Sequence, residues 1–286
     1  MKIDQQTINK YLEGIDNTNT RKTYRFLLKK FFIFLQNNNI TEINQQNINT
    51  IIHDYKAYLN TQNYKATTIN QHLIALKTFI NDYTQLHYDK NLKLVKTARK
   101  KPHYLTQEQI KTVLKYTDNK TDELIIKLLS STGLRIHEAL KITKKELENT
   151  DETGNAMIEI IGKNTKRRIV VIPAKLTRQL KKYSKNNQKY IFESKRQMGQ
   201  QRSIRNIQYR FQKLAAKVDK EENTSLYSEN LKPHNLRHSF AIHALKTNEI
   251  NYVKEFLGHE NIATTQIYTD LKEKEVVERF KDIQII

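Results

Sequence analysis

Apolar residues recur with a helical period through the first 90 residues of the chain. In residues 21–35, 48–59 and 69–83 they return every three or four positions, as in helices that bury one stripe. Segments rich in Asn and Thr separate these stretches. The pattern predicts that residues 1–90 form a small helical bundle.

The second half of the chain begins with further helical patterns. Thr106 and Gln109 have the spacing of a capping box, which predicts a helix that runs to about residue 114. A second helix is predicted over residues 122–131, and Gly133 is a typical stop after it. A third helix is predicted to begin near Arg135.

The apolar period then changes to that of β-strands. Residues 157–161 and 168–172 are rich in β-branched side chains and flank Gly-Lys-Asn-Thr-Lys at 162–166, which predicts a hairpin with a basic tip. Helical patterns resume near residue 174 and continue to the end of the chain. The predicted fold class is therefore mainly α, with a small antiparallel β-sheet inside a mostly helical domain over residues 105–286.

The net charge favours a polyanionic partner. The 286 residues include 50 Lys and Arg against 30 Asp and Glu, which gives +20. The first 96 residues hold 13 basic and 7 acidic side chains and carry +6, so the remaining residues carry +14. Nucleic acid is the common large polyanion of a cell. A solvated, lysine-rich surface would give the same composition.

Other features of the composition exclude whole classes of site. The chain has no Cys, so disulfides, thiolate zinc sites and a Cys nucleophile are impossible. Its first residues lack the apolar core of a signal peptide, and no apolar run approaches the ~20 residues of a membrane span. We expect a soluble, cytoplasmic protein with no membrane partner.

Five basic residues are concentrated between the two predicted domains. They are Lys93, Lys96, Arg99, Lys100 and Lys101, within or beside a linker predicted over residues 91–104. Such a segment is compatible with a solvated tether or with one that crosses a phosphate backbone.

Several polar residues could carry chemistry, although none is distinctive alone. His234 and Arg237 follow Pro233 with i, i+3 spacing, which places them on one helix face about 60° apart. Arg135 and Glu138 share this spacing, which by itself indicates an ordinary helix ion pair. Taken singly, each pair is best interpreted as surface residues.

Two further candidates lie near the end of the chain. His259 directly follows Gly258, the predicted end of a short helix over residues 250–257. Tyr268 lies nine residues later and is one of 15 tyrosines, so in isolation it is best interpreted as a packing residue.

The order and spacing of these motifs are more specific than any one of them. The chain carries Thr-Gly-Leu-Arg-x-x-Glu at 132–138, Gly-Lys-x-x-Lys at 162–166, His-x-x-Arg-His at 234–238, Leu-Gly-His at 257–259 and then Tyr268. This ordered set resembles the tyrosine recombinase or integrase family, and most of all its Xer-type and phage or transposon members. The resemblance covers residues 106–268.

The resemblance implies a function for individual residues of this chain. It implies a catalytic role for Arg135, Lys163, His234, Arg237, His259 and the nucleophile Tyr268, with Glu138 in support. Two planar guanidiniums can bind the oxygens of a phosphodiester with paired hydrogen bonds. The preference for Lys163 over Lys166 as the catalytic lysine rests on the family pattern. Lys166 joins Lys96, Arg99, Lys100 and Lys101 as a predicted DNA contact.

The implied chemistry needs no cofactor and no metal. A phosphotyrosyl ester keeps the energy of the DNA ester, so rejoining requires no ATP, and the cations are side chains. The sequence also lacks a GxxxxGK[ST] loop, a zinc ligand set and a convincing carboxylate cluster for two-metal catalysis.

The resemblance further implies the domains and the partners. Residues 1–90 would be a SAM-like core-binding domain and residues 105–286 the catalytic domain, together clamping double-stranded DNA with inverted-repeat half-sites. The 18 residues after Tyr268 would form a tail helix that links neighbouring protomers into a homo-tetramer. Packing of this tail on its own domain is the alternative. We expect the protein to associate with the nucleoid.

Two other functions compete with site-specific recombination. A type IB topoisomerase shares the attack by tyrosine, and relaxation of plasmids without a specific site would indicate one. A non-catalytic DNA-binding relative is the second alternative, although the full set of catalytic residues argues against it.

Overall fold

The computed structural model describes residues 4–88, 94–97, 103–162, 167–246 and Val253. The chain divides into two compact units between Lys100 and Lys101. The described elements are helices and one two-stranded antiparallel sheet, which confirms the predicted mainly α fold class. No helix among the described residues is long and apolar enough to cross a membrane.

The described residues of the first unit form four helices. Three of them contain the predicted apolar stretches, and the short first helix is an addition, capped by Asp4, whose carboxylate accepts from the Thr7 N–H at 2.8 Å. The helices are α1 (Gln5–Glu13), α2 (Thr18–Asn37), α3 (Ile48–Thr61) and α4 (Ala66–Tyr83).

An aromatic and aliphatic core holds the first unit together. Tyr55 of α3 is fully buried and packs edge-on against Phe31 of α2, with ring centroids 5.0 Å apart. Its hydroxyl shares a 2.8 Å hydrogen bond with Nδ1 of the buried His72 on α4. Burial and the positive charge of Lys30 lower the pKa of His72. A neutral imidazole therefore belongs to this core.

The second unit combines helices with the predicted hairpin. Among its described residues, the first helix begins at the Thr106 capping box and another begins at Pro233, both as predicted. Its elements are α5 (Gln107–Lys115), α6 (Lys120–Thr132), α7 (Ile136–Lys141), β1 (Ala156–Ile161), β2 (Arg167–Ile172), α8 (Ala174–Tyr183), α9 (Ile204–Glu221), α10 (Leu226–Asn230) and α11 (Pro233–Leu245), with a 3-10 turn at Glu146–Glu148.

Helix α6 runs through the middle of the second unit. Its buried residues cover more than half of the helix surface and include Leu124, Ile125, Ile126, Leu128 and Leu129, whereas Glu123 and Lys127 lie on the remaining, partly exposed face. It packs against α7, α8, α9, α11 and β2. The C-terminal end of α6 is therefore held from several directions.

The hairpin pairs β1 with β2 in a regular antiparallel register. Ile160 pairs with Arg168, and Ile158 pairs with Val170. Alternation along β2 places Arg168 on the inward face with Val170 and Ile172. The basic tip at 163–166 lies outside the described residues.

Residues 184–203 depart from the helical pattern that the sequence predicts after residue 174. They form turns and isolated bridges, in which Oε2 of Glu193 accepts from the backbone N–H groups of Gln188 and Lys189, each at 2.9 Å. Side-chain bonds of this kind compete with helical backbone bonds. The helix predicted at 250–257 lies outside the described residues except for Val253.

Candidate active site

A tight turn between α6 and α7 places the first candidate arginine. Gly133 ends α6 in the left-handed region, at φ +62°, which a residue without Cβ adopts without strain. The chain then turns extended at Arg135, and α7 begins at Ile136. Oε2 of Glu138 accepts from the Arg135 backbone N–H at 2.7 Å and so caps α7.

The Glu138 carboxylate also joins two guanidiniums. Oε1 accepts from Nη1 of Arg135 at 3.1 Å, and Oε2 accepts from Nη2 of Arg168 at 2.7 Å. The exposed fraction of the side chain is 6% for Glu138, 11% for Arg168 and 38% for Arg135. The predicted ion pair is therefore a largely buried bridge that reaches from α7 to β2.

The charge of Glu138 is fixed by its partners. Burial by itself raises the pKa of this carboxyl, but hydrogen bonds from Arg168 and from the Arg135 backbone, and the charges of both arginines, outweigh it. The pKa of Glu138 is thus held below its ordinary value of 4.5. At neutral pH the carboxylate is ionised between the two arginines.

Arg237, on α11, is anchored at the same turn. It is only 3% exposed, and its Nη1 donates to the carbonyl oxygen of Gly133 at 2.5 Å. Helix α11 is itself fixed by Ser239, whose hydroxyl accepts from the Leu105 N–H at 2.8 Å. Both candidate arginines are therefore positioned around the end of α6.

His234 lies in the first turn of α11. Its ring meets that of His238 edge-on, with centroids 4.2 Å apart. Much of the residue is exposed, but its imidazole is partly desolvated by the surrounding protein, and this desolvation lowers its pKa. The positive charges of Arg237 and Arg135 lower the pKa further. His234 is therefore neutral at pH 7 and able to accept a proton.

The described residues bring together four of the seven predicted active-site residues: Arg135, Glu138, His234 and Arg237. The other predicted residues, Lys163, Lys166, His259, Tyr268, Arg99, Lys100 and Lys101, lie outside the described part of the chain. Lys96 is exposed beside Val95, whose backbone exchanges two hydrogen bonds with the Asn70 side chain. Within the described ranges, no three His, Asp or Glu residues are grouped as a metal site.

Two neighbours of the site were not predicted from the sequence. Arg168 completes the Glu138 bridge, and His238 packs on His234. A signal for Arg168 existed, because strand alternation places this arginine on the face of Val170 and Ile172, and a buried charge needs a partner. The contact of His238 depends on side-chain rotamers that sequence spacing does not give.

This arrangement is suited to an anionic substrate. Two guanidiniums held around one turn can bind the oxygens of a phosphodiester, and a neutral imidazole under their positive field can accept a proton. Arg237 is held by a backbone carbonyl and Arg135 by the buried Glu138, so the two arginines need little reorganisation when the substrate binds.

We predict that Glu138→Gln lowers the free energy of unfolding by about 2 kcal/mol, because Arg168 then keeps a buried charge without its counter-charge. The measurement is urea unfolding of the full chain at pH 7. The pKa of Glu138 is lowered in the folded state, so its stabilisation is present above pH 4.5 and is lost as the pH falls through the folded pKa. The difference between the two proteins should therefore shrink below pH 4.5.

Glu148→Gln is the matched control for this measurement. Glu148 pairs with Lys181 at 2.7 Å, but 69% of its side chain is exposed. Its loss should cost less than about 1 kcal/mol, as for other surface ion pairs. Equal costs for the two substitutions would contradict a special role for the buried bridge.

Comparison with protein families identifies both units. The model described as "Phage integrase family" matches residues 103–275, and the model "Phage integrase, N-terminal SAM-like domain" matches residues 8–84. The first match includes all seven predicted active-site residues. The second match contains the four helices of the first unit, except for the start of α1.

Individual relatives are similar over almost the whole chain. Tyrosine recombinase XerA of Pyrococcus horikoshii is 29% identical, covering 96% of this chain and 92% of the relative. Tyrosine recombinase XerD of Rickettsia prowazekii is 30% identical, covering 88% and 87%.

Solved structures share the fold. XerH recombinase bound to palindromic difH in a post-cleavage complex gives a TM-score of 0.68 at 24% identity, covering 92% of this chain and 79% of that one. The Tn1549 transposon integrase in complex with circular intermediate DNA gives 0.68 at 18% identity, covering 92% and 93%. The chain thus belongs to the phage integrase family and is a tyrosine-type site-specific DNA recombinase.

Proposed function

We propose that this recombinase exchanges DNA strands at paired specific sites through a 3′-phosphotyrosyl intermediate and a Holliday junction, acting as a tetramer. The observation that carries the proposal is the convergence of Arg135 and Arg237 on the end of α6, with His234 in their positive field. The XerH complexes, described as pre-cleavage and post-cleavage on difH, support DNA cleavage by this fold.

In the proposed first step, the Tyr268 hydroxyl oxygen attacks the scissile phosphorus. A bond forms between phosphorus and this oxygen, and the bond from phosphorus to the 5′ oxygen breaks. A tyrosine hydroxyl has a pKa of about 10 and needs an acceptor for its proton, which His234 provides. Lys163 donates a proton to the leaving 5′ oxygen.

The remaining groups stabilise the charge that develops on the phosphate. Arg135 and Arg237 bind the non-bridging oxygens, and each preorganised donor contributes roughly 3–4 kcal/mol, or ~10²–10³ in rate. His259 donates to a phosphate oxygen, and Glu138 holds Arg135.

In the second step, a 5′ hydroxyl oxygen of the partner strand forms a bond to phosphorus, and the bond from phosphorus to the Tyr268 oxygen breaks. Lys163 takes the proton of this hydroxyl, and His234 returns a proton to Tyr268.

DNA binding in this proposal relies on the basic residues outside the catalytic cluster. Lys96, Arg99, Lys100, Lys101 and Lys166 would contact the backbone of double-stranded DNA with inverted-repeat half-sites. Such contacts release counterions, so affinity should fall steeply with salt. The same attraction would keep the protein on the nucleoid.

We predict that Tyr268→Phe abolishes the covalent protein–DNA complex while DNA binding persists, because only the attacking oxygen is removed. The measurement uses a nicked suicide substrate, in which the released fragment diffuses away and traps the complex on a denaturing gel. Gel shifts measure binding in parallel.

Tyr209→Phe serves as the matched control, because Tyr209 is an exposed tyrosine of α9. This variant should form the covalent complex at the rate of the unchanged protein. A covalent complex in Tyr268→Phe would overturn the assignment of the nucleophile.

We predict that the single-turnover cleavage rate falls with acidification at a pH below 6.5. His234 must be neutral to accept a proton, and its pKa in the folded protein is lowered from 6.5. The rate is therefore maximal above this pKa and declines as the pH falls through it. His234→Gln should slow cleavage at pH 7 by about 10² and remove this decline.

His137→Gln is the control for the pH profile. The pKa of His137 is also lowered, by burial first and by Arg135 among other charges, but this residue has no assigned proton transfer. Its variant should keep the acidic decline. If His234→Gln keeps the decline, the proton acceptor is another group.

The C-terminal tail generates a further prediction about assembly. Deletion of residues 272–286 removes the apolar positions from Val276 onward but keeps Tyr268. We expect binding to a single half-site to persist, whereas synapsis of paired sites weakens. Native gels and a two-site recombination assay measure the two properties. Undiminished synapsis and recombination by the truncated protein would overturn the role of the tail in assembly.

A further inference from the structure

Arg168 is a largely buried cation on strand β2 of the second unit. It lies six residues after Gly162, the last described residue before the hairpin tip. Its side chain is 11% exposed, and its Nε is buried with no hydrogen-bond partner among the described residues. An arginine is rarely buried unless hydrogen bonds or an opposite charge offset the cost of removing it from water.

The contacts of Arg168 lead from the hairpin to the first catalytic arginine. Nη2 of Arg168 donates to Oε2 of Glu138, the oxygen that also accepts from the Arg135 backbone N–H. The other oxygen, Oε1, accepts from Nη1 of Arg135. One carboxylate therefore fixes β2 directly to the residue that begins α7.

Lys163 is separated from Arg168 by only four residues of the hairpin connection. A lysine side chain is long and has many rotamers, so its effectiveness as an acid depends on where the backbone of the hairpin is held. A bond that anchors β2 to α7 sets the base of this hairpin relative to Arg135.

We propose that Arg168 is a positioning residue that, through Glu138, holds the hairpin so that Lys163 can protonate the leaving oxygen. The inference rests on the proposed function, which assigns Lys163 as the general acid and Arg135 as a phosphate ligand. Arg168 itself touches neither DNA nor the reacting atoms in this scheme. Its loss impairs delivery of the proton more than binding of the phosphate.

The neighbouring arginine provides a matched control. Arg167 precedes Arg168 on β2, but alternation turns its side chain outward, where 68% of it is exposed. It pairs with the exposed Glu159 at 3.3 Å. Arg167→Gln removes the same charge from the same strand without touching the Glu138 bridge.

The test compares two leaving groups at the cleavage site. One suicide substrate carries the ordinary bridging 5′ oxygen, and the other carries sulfur at that atom. A thiol has a pKa of about 8.5, far below that of an alcohol, so a thiolate leaves without being protonated. Single-turnover covalent complex formation is measured at saturating protein for both substrates.

We expect Arg168→Gln to slow cleavage of the oxygen substrate by about 10², because displacing a catalytic group such as Lys163 by about 1 Å has an effect of this size. Cleavage of the sulfur substrate should slow by no more than about threefold. Arg168→Lys keeps a charge and a donor for Glu138 and should recover part of the lost rate on oxygen. Arg167→Gln should match the unchanged protein on both substrates.

The ratio of the two rates separates positioning from a general loss of stability. A preparation that is only partly folded reacts less on both substrates, so the ratio of sulfur to oxygen rates stays that of the unchanged protein. An unchanged ratio in Arg168→Gln, with or without loss of activity, would overturn the proposal. A raised ratio in this variant, and not in Arg167→Gln, would support it.

Two controls distinguish failure of this inference from failure of the proposed function. Lys163→Ala should show the same rescue by sulfur, whereas Arg135→Ala should be slow on both substrates. If Lys163→Ala is not rescued, the general acid is misassigned and the proposed function is wrong at that residue. If Lys163→Ala is rescued and Arg168→Gln is not, only the positioning role fails.

Discussion

The geometry of the candidate active site depends on the buried carboxylate of Glu138 and on the positive groups that surround it. Removing an ion from water costs several kcal/mol, and this cost is offset only when hydrogen bonds satisfy the carboxylate. The Arg135 backbone, its guanidinium and Arg168 supply them. These three hydrogen bonds fix the start of α7, the Arg135 side chain and strand β2 relative to one another.

Helix α6 provides the support for that arrangement. Most of its surface is buried in the core, so its end cannot shift without disturbing the residues packed around it. The left-handed Gly133 ends this helix, and its carbonyl oxygen accepts a hydrogen bond from Arg237 of α11. Two arginines that are distant in sequence thus share one rigid support, as preorganised electrostatic catalysis requires.

Much of the fold could be predicted from local patterns, and the exceptions have physical reasons. Most of the long helices were predicted from apolar residues that recur every three or four positions, because this local spacing places them on one helix face. Residues 184–203 departed from the pattern because the Glu193 carboxylate binds backbone N–H groups that a helix would use. Arg168 was missed as a site residue because its partner lies 30 residues away. No local period indicates which carboxylate a buried strand arginine will meet.

The sequence by itself determined the family and the order of the candidate catalytic residues, since these depend on motif spacing along the chain. It also determined the mainly α class, which follows from the period of the apolar residues. Tertiary structure alone decided which of these residues meet and in what charge state. Arg237 reaches Gly133 across 104 residues. The lowered pKa values of Glu138 and His234 arise from burial and from charges brought close by packing. Electrostatic environment depends on distance in space and on exclusion of water, and spacing in sequence fixes neither.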